Sequence, residues 1–146
     1  MKLNKECIRD LLLFIEEKCV YYEDSQYGVR VKNVSYNEIC EDKKFQKYDK
    51  DVIRYTISKM LEGQYIQGET YPVNDFTTFD IVNISGLTLQ GHELLDNIRP
   101  EKVWSHTKKV LEKVSDFSLS VMTQVASRTM ASYAISLIDI PDKLHL

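Results

Sequence analysis

Residues 48–99, YDKDVIRYTISKMLEGQYIQGETYPVNDFTTFDIVNISGLTLQGHELLDNIR, carry the succession of elements that decides the fold. Asp49 is a good helix N-cap, and Val52, Ile53, Thr56, Ile57, Met60 and Leu61 recur at the three- and four-residue steps of one helical face. Gly63 stands where a left-handed C-cap belongs, so the spacing predicts one amphipathic helix over residues 50–62. The chain then turns β-rich at 64–70 and again at 78–87, joined through Pro72, Asn74 and Asp75, residues that favour turns. Thr88 caps a following helix on which Leu94, Leu95 and Ile98 share a face, and Pro100 interrupts it. Helix, tight stop, long-tipped hairpin and helix is the order of a winged helix-turn-helix, with the hairpin as its wing.

Upstream, Asn4 caps a helix reaching about Lys18, whose apolar stripe is Cys7, Ile8, Leu11, Leu12 and Ile15. Cys7 reads as buried filler on that stripe. Residues 21–27 are polar and read as a loop, after which Gly28 leads into Val29-Arg30-Val31-Lys32, an alternation that fits a half-buried strand. Pairing that strand with the wing would give a small three-stranded antiparallel sheet and satisfy its backbone groups. Ser35-Tyr36-Asn37-Glu38 is a capping box that starts a short helix containing Ile39 and Cys40.

Downstream, Pro100 suits the first turn of a new helix carrying Val103, Thr107, Val110, Leu111 and Val114 at helical spacing. Ser115 or Asp116 then caps a last helix from about Phe117 to Ile138. Leu119, Met122, Ala126, Met130, Tyr133 and Leu137 form a short heptad-like seam on it. Two uses fit that seam: packing back on the same chain, or a homodimer contact through Met122, Met130, Tyr133 and Leu137. The expected fold class is therefore α+β and mostly helical: a winged-helix domain over 1–99 with a two-helix extension over 100–146.

The net charge of -3 conceals an uneven distribution. Lys43, Lys44, Lys47, Lys50, Arg54 and Lys59 face only Asp49 and Asp51 within residues 43–59, a local charge of +4 that leaves -7 for the rest. A basic stretch leading into the helix that would read DNA is an electrostatic footprint for a polyanion, and it is also what a solvated helix face looks like. Arg54 and Ser58 point away from the apolar stripe, where they can reach base edges. Lys43, Lys44, Lys47, Lys50 and Lys59 are placed for phosphates. No Lys or Arg occurs between Met60 and Ile98, and Glu69 and Asp75 make the wing acidic, so DNA would be read by the helix without the wing. The aromatic wing suits a protein partner instead, with Tyr71 and Phe76 as outward anchors and Tyr65 and Phe79 turned inward.

Catalysis needs a nucleophile, base or metal in convergent geometry, and the sequence has little of this. His92, His106 and His145 are far apart, no paired zinc spacing occurs, and neither G-x-S-x-G nor a phosphate-cradling glycine loop is present. His92 and Asp96 are spaced to hydrogen-bond as a surface helix pair. Three cysteines without a C-x-x-C pattern suggest no disulfide framework, and a charged N-terminus with no long apolar run points to the cytoplasm.

Three segments, MKLNKECIRDLLLFIEE (1–17), DVIRYTISKMLEGQYI (51–66) and LTLQGHELLDNIRPEKVWSHTKKVLEKVSDFSLSVMTQVAS (87–127), resemble a family of small phage and bacterial proteins known as domain of unknown function 2513. GHELLDNIR followed by the Val-Trp pair and a Lys-rich helix is the specific part of the likeness. The resemblance implies a phage or prophage setting and a winged-helix-like core, and carries no catalytic or binding residues with it. The sequence thus leads to two expectations: a non-enzymatic, cofactor-free DNA-binding regulator, or a module that docks on a host protein or nucleoprotein complex.

Overall fold

A computed structural model describes residues 1–70 and 81–138. The fold is a mostly helical α+β arrangement with small antiparallel sheets. In chain order its elements are α1 (Lys5–Lys18), β1 (Tyr21–Asp24), β2 (Gly28–Val31), α2 (Tyr36–Glu41), a 3-10 turn (Lys43–Phe45), α3 (Lys50–Glu62), β3 (Ile66–Thr70), β4 (Ile81–Leu87), α4 (Leu89–Ile98), α5 (Glu101–Glu112) and α6 (Leu119–Ile138). They form two compact units, Met1–His92 and the chain from Glu93 onward, divided within α4. None of the described helices is long and apolar enough to cross a membrane.

The first unit is built on α1. The Asn4 side chain accepts from the Cys7 N–H at 3.0 Å, satisfying one orphan donor of the first turn, and Cys7, Ile8, Leu11, Leu12 and Ile15 are fully buried as the stripe predicts. Burial pushes the Cys7 thiol up to about 12, so it behaves as an apolar core group. Helix α3 packs on α1 through Ile53, Thr56, Ile57 and Met60, and the Thr56 hydroxyl donates back to the Val52 carbonyl at 2.7 Å, which removes the cost of burying it. Phe45 in the 3-10 turn is buried edge-on against Phe14 of α1, ring centres 5.4 Å apart. Ser35 caps α2 by accepting from the Glu38 N–H at 3.1 Å.

Helix α3 ends at Glu62 as the spacing predicts, but its left-handed residue comes one position after the expected glycine. Gly63 stays right-handed (φ -81°), and the left-handed position is Gln64 (φ 62°). The Tyr65 N–H bonds the Met60 carbonyl at 2.8 Å and the Gln64 N–H bonds the Leu61 carbonyl at 3.1 Å, which closes the helix end in the two-bond pattern. Gly63 is needed for space instead, because a Cβ there would press on the Lys59 carbonyl and the Tyr65 ring, each at 3.2 Å. Gln64→Gly should therefore raise stability by about 1 kcal/mol, the cost of holding a side chain in left-handed backbone. Thermal denaturation reads it, and a lower melting temperature would contradict this account of the turn.

The expected three-stranded sheet is replaced by two two-stranded antiparallel sheets, β1–β2 and β3–β4. Residues 21–24, expected as loop, form β1 and pair with β2 from Tyr21↔Val31 to Asp24↔Gly28. The turn explains it: the Asp24 carboxylate accepts from the Gln26 and Tyr27 N–H groups at 2.8 and 3.0 Å, and Gly28 supplies a left-handed residue (φ 79°). Those backbone bonds hold the Asp24 carboxyl below its ordinary value. β2 takes its partner from β1 and not from the wing, and it is largely exposed rather than half-buried. Only Val34 reaches β4, in a single bridge to Ile84 with two 2.8 Å bonds. β3 pairs with β4 from Ile66↔Leu87 to Thr70↔Ile81. Tyr65 is buried, as expected, whereas Phe79 lies outside the described residues.

In the second unit α5 packs on α6. Pro100 is the N-cap residue of α5 rather than its first turn, and Ser118 caps α6 instead of Ser115 or Asp116, accepting from the Val121 N–H at 3.1 Å. Val103, Trp104, Thr107 and Leu111 of α5 are buried, as are Leu119, Met122 and Ala126 of α6. The Thr107 hydroxyl is fully buried and finds no hydrogen-bond partner among the described residues. Thr107→Val keeps the shape and removes the orphaned hydroxyl, so a gain of about 1 kcal/mol is expected in urea unfolding.

Candidate nucleic-acid interface

The basic segment is held from beneath and from both ends. Phe45 anchors the 3-10 turn in the core, leaving Lys43, Lys44 and Lys47 exposed around it. Tyr48 donates its hydroxyl to Asp10 of α1 at 2.6 Å, and Lys47 reaches the same carboxylate oxygen at 3.3 Å while lying over the Tyr48 ring. Loss of solvent around Tyr48 and its bond to Asp10 push the phenol well above its ordinary value, so it remains a donor. At the start of α3, the Tyr36 hydroxyl donates to the Lys50 carbonyl at 3.2 Å. Desolvation first, then Cys40, raise the Tyr36 phenol to about 12. Asp49 occupies the expected cap position of α3 but makes no side-chain cap bond.

Along α3 the buried face is Ile53, Thr56, Ile57 and Met60, which turns Arg54, Tyr55, Ser58 and Lys59 outward as half-exposed residues. The exposed charges are more neutralised than the sequence suggests. Arg54 bonds Asp51 at 2.9 Å and lies over the Tyr36 ring; Lys59 bonds Glu62 at 3.0 Å, which raises its pKa, and lies over Tyr55. Lys44 faces Glu17 at 3.9 Å. Lys43 and Lys50 alone among the six make no ion pair with a described residue. Exposed pairs of this kind are worth about 0–1 kcal/mol, so an incoming phosphate can exchange for the carboxylate at little cost. Asp10, Tyr36 and Tyr48, which position the segment, carried no sequence signal, because their partners lie 14 to 38 residues away.

The other nominated residues are distributed differently. Tyr71 and Phe76 lie outside the described residues. Met122 is fully buried within the chain, Met130 and Tyr133 are half-buried, and Leu137 is 63% exposed, so only the far end of the α6 seam faces solvent. Asp96 bonds Arg99 at 3.0 Å rather than His92, and His92 instead sits 3.9 Å from Glu16. Cys19 lines the same groove as Glu16 and His92, but its thiol donates to the Ile84 carbonyl at 3.4 Å and burial raises its pKa, the opposite of an activated nucleophile. No three His, Cys, Asp or Glu side chains gather for a metal among the described residues. The sequence pattern missed β1 and so the β1–β2 hairpin, where Tyr21, Tyr27 and Val29 are exposed and Arg30 lies over Tyr27.

No solved structure matches this chain. An uncharacterized protein of Haemophilus influenzae is 30% identical over 128 residues, covering 86% of this chain and 92% of that protein. The family model described as "Hypothetical protein (DUF2513)" matches residues 2–117, and with the N-terminal helix, the α3 segment and the GHELLDNIR run all inside that match, the chain belongs to this family.

Proposed function

We propose that the protein is a non-enzymatic winged-helix DNA-binding regulator that works in the cytoplasm, in a phage or prophage setting. Element order supports it: α1, the Val34 bridge, α2, α3, β3 and β4 follow one another as helix, first strand, two helices and wing do, with the first strand reduced to one bridge. The observation that carries it is the outward face of α3, where Arg54 and Ser58 are half-exposed opposite the buried face, with Lys50 at the helix start and Lys43 in the preceding 3-10 turn, neither ion-paired among the described residues. In this reading Arg54 and Ser58 meet base edges and Lys43, Lys44, Lys47, Lys50 and Lys59 meet phosphates. A gel shift against DNA from the gene's own surroundings, repeated across salt concentrations, tests it. No retardation of any fragment at low salt would end the DNA proposal.

A second reading, a module for a host protein, is favoured by the exposed Tyr21, Tyr27 and Val29 of the β1–β2 hairpin together with the proposed anchors Tyr71 and Phe76. Homodimerisation is proposed through the solvent-facing end of α6. Light scattering should give a dimer for the wild type and a monomer for Met130→Lys, since a charge would enter an apolar contact. A monomeric wild type removes that proposal.

A further inference from the structure

Helices α5 and α6 pack tightly near their connection, where Leu111, Leu119 and Met122 are buried, and open at the other end into a cleft of about 470 Å³. Two cations, Lys102 on α5 and Arg128 on α6, line it together with the imidazole of His106, one turn from Lys102. Thr129, Ser132 and Tyr133 of α6, each carrying a hydroxyl, line the same space, with Val103 at its floor. No carboxylate is among the lining residues; Glu101 stands at the neighbouring rim with Ser105 and Lys109. Lys102, His106 and Arg128 make no ion pair with any described residue, unlike most of the cations around α3.

In a chain of net charge -3, exposed cations with no ion pair among the described residues, gathered with hydroxyl-bearing residues on one cleft, favour an anion there. A guanidinium offers a planar fork of donors matched to phosphate oxygens, an ammonium adds a point charge, and hydroxyls complete the shell. The half-buried Tyr133 ring adds a flat face for stacking, and the volume falls within the roughly 300–1,000 Å³ of small-ligand clefts. The geometry points to a binding site for a phosphate monoester carrying a flat ring, of the nucleoside monophosphate class, with Lys102, His106 and Arg128 on the phosphate and Tyr133 on the ring. The site is separate from the α3 surface and does not depend on the DNA proposal.

The test is a titration of the isotope-labelled full chain with inorganic phosphate, with adenosine monophosphate and with a short single-stranded oligonucleotide, followed by amide shifts. Saturable shifts at residues 102–106 and 128–133 are expected, with the nucleotide binding up to about tenfold more tightly than phosphate through stacking. Arg128→Gln should weaken both about tenfold, while Tyr133→Leu should remove only the nucleotide's advantage. Circular dichroism checks that both variants are folded, and Lys32→Gln, equal in charge change but remote in sequence and exposed, should leave the affinity within about twofold. Absence of saturable shifts at millimolar nucleotide overturns the proposal. So does equal weakening by Lys32→Gln, which would mean bulk electrostatics, and so does an oligonucleotide that binds the cleft more tightly per phosphate than the nucleotide.

Discussion

Gly91→Ala is expected to destabilise the first unit by about 2 kcal/mol net, although alanine is the better helix former. A Cβ at this point of α4 would collide with the Tyr65 carbonyl oxygen and lie 3.0 Å from its carbonyl carbon. Neither atom is free to yield. The Tyr65 oxygen accepts from the Thr88 N–H at 3.1 Å, the Thr88 hydroxyl donates to the Gln64 carbonyl at 2.5 Å, and its oxygen accepts from the Gly91 N–H at 3.0 Å. The added methyl therefore has to displace backbone that ties the end of α3 to the start of α4. Overpacking of that kind reaches about 3 kcal/mol, against a helix-propensity gain of about 1 kcal/mol. Urea unfolding beside Gln90→Ala, an exposed neighbour expected to stay within roughly 0.5 kcal/mol, measures it. Equal midpoints for the two variants would show that α4 does not rest on the Tyr65 backbone in solution.

The second large effect belongs to the DNA proposal. Reversing charge at Lys50 and Lys59 together should flatten the dependence of log K on log salt by roughly 1.8 units, because each phosphate neutralised contributes about 0.9. Asp51→Asn should act the other way. Asp51 holds the Arg54 guanidinium at 2.9 Å, and removing its charge frees a cation without adding one. A stronger complex for Asp51→Asn together with a flatter slope for the double reversal would place the nucleic acid on the outer face of α3. An unchanged slope in a folded double variant would remove that face from consideration and turn attention to the aromatic β1–β2 hairpin.

Helices α1 and α3, the Asn4, Ser35 and Thr88 caps, and the burial of Cys7 were legible in the sequence because each signal is local. A 3.6-residue apolar repeat names the buried face, and a short polar side chain three residues ahead of an orphan N–H names the helix start. Local signals failed where two turn-forming residues were adjacent: Gly63 drew the left-handed assignment that Gln64 holds, because both ends of the motif lie within one residue. The β1 strand was missed for a different reason. Tyr21–Asp24, largely exposed, shows no hydrophobic alternation, and the Asp24 and Gly28 of the turn read equally well as loop. The strand expected to join the wing sheet pairs with β1 instead, and among the described residues the Val34 bridge is what links that segment to β4.

The sequence by itself determined the family, the mostly helical α+β class and the +4 segment leading into α3. Tertiary structure alone decided what those charges face. Asp10 lies 38 residues from Tyr48, and residues 128–133 of α6 lie more than twenty from Lys102 and His106, so no periodicity along the chain could report either meeting. Composition counts charges, whereas the field a ligand meets depends on which carboxylates the fold brings within about 4 Å of each cation. Around α3 it brings several, and in the α5–α6 cleft it lines the space with cations and hydroxyls and no carboxylate.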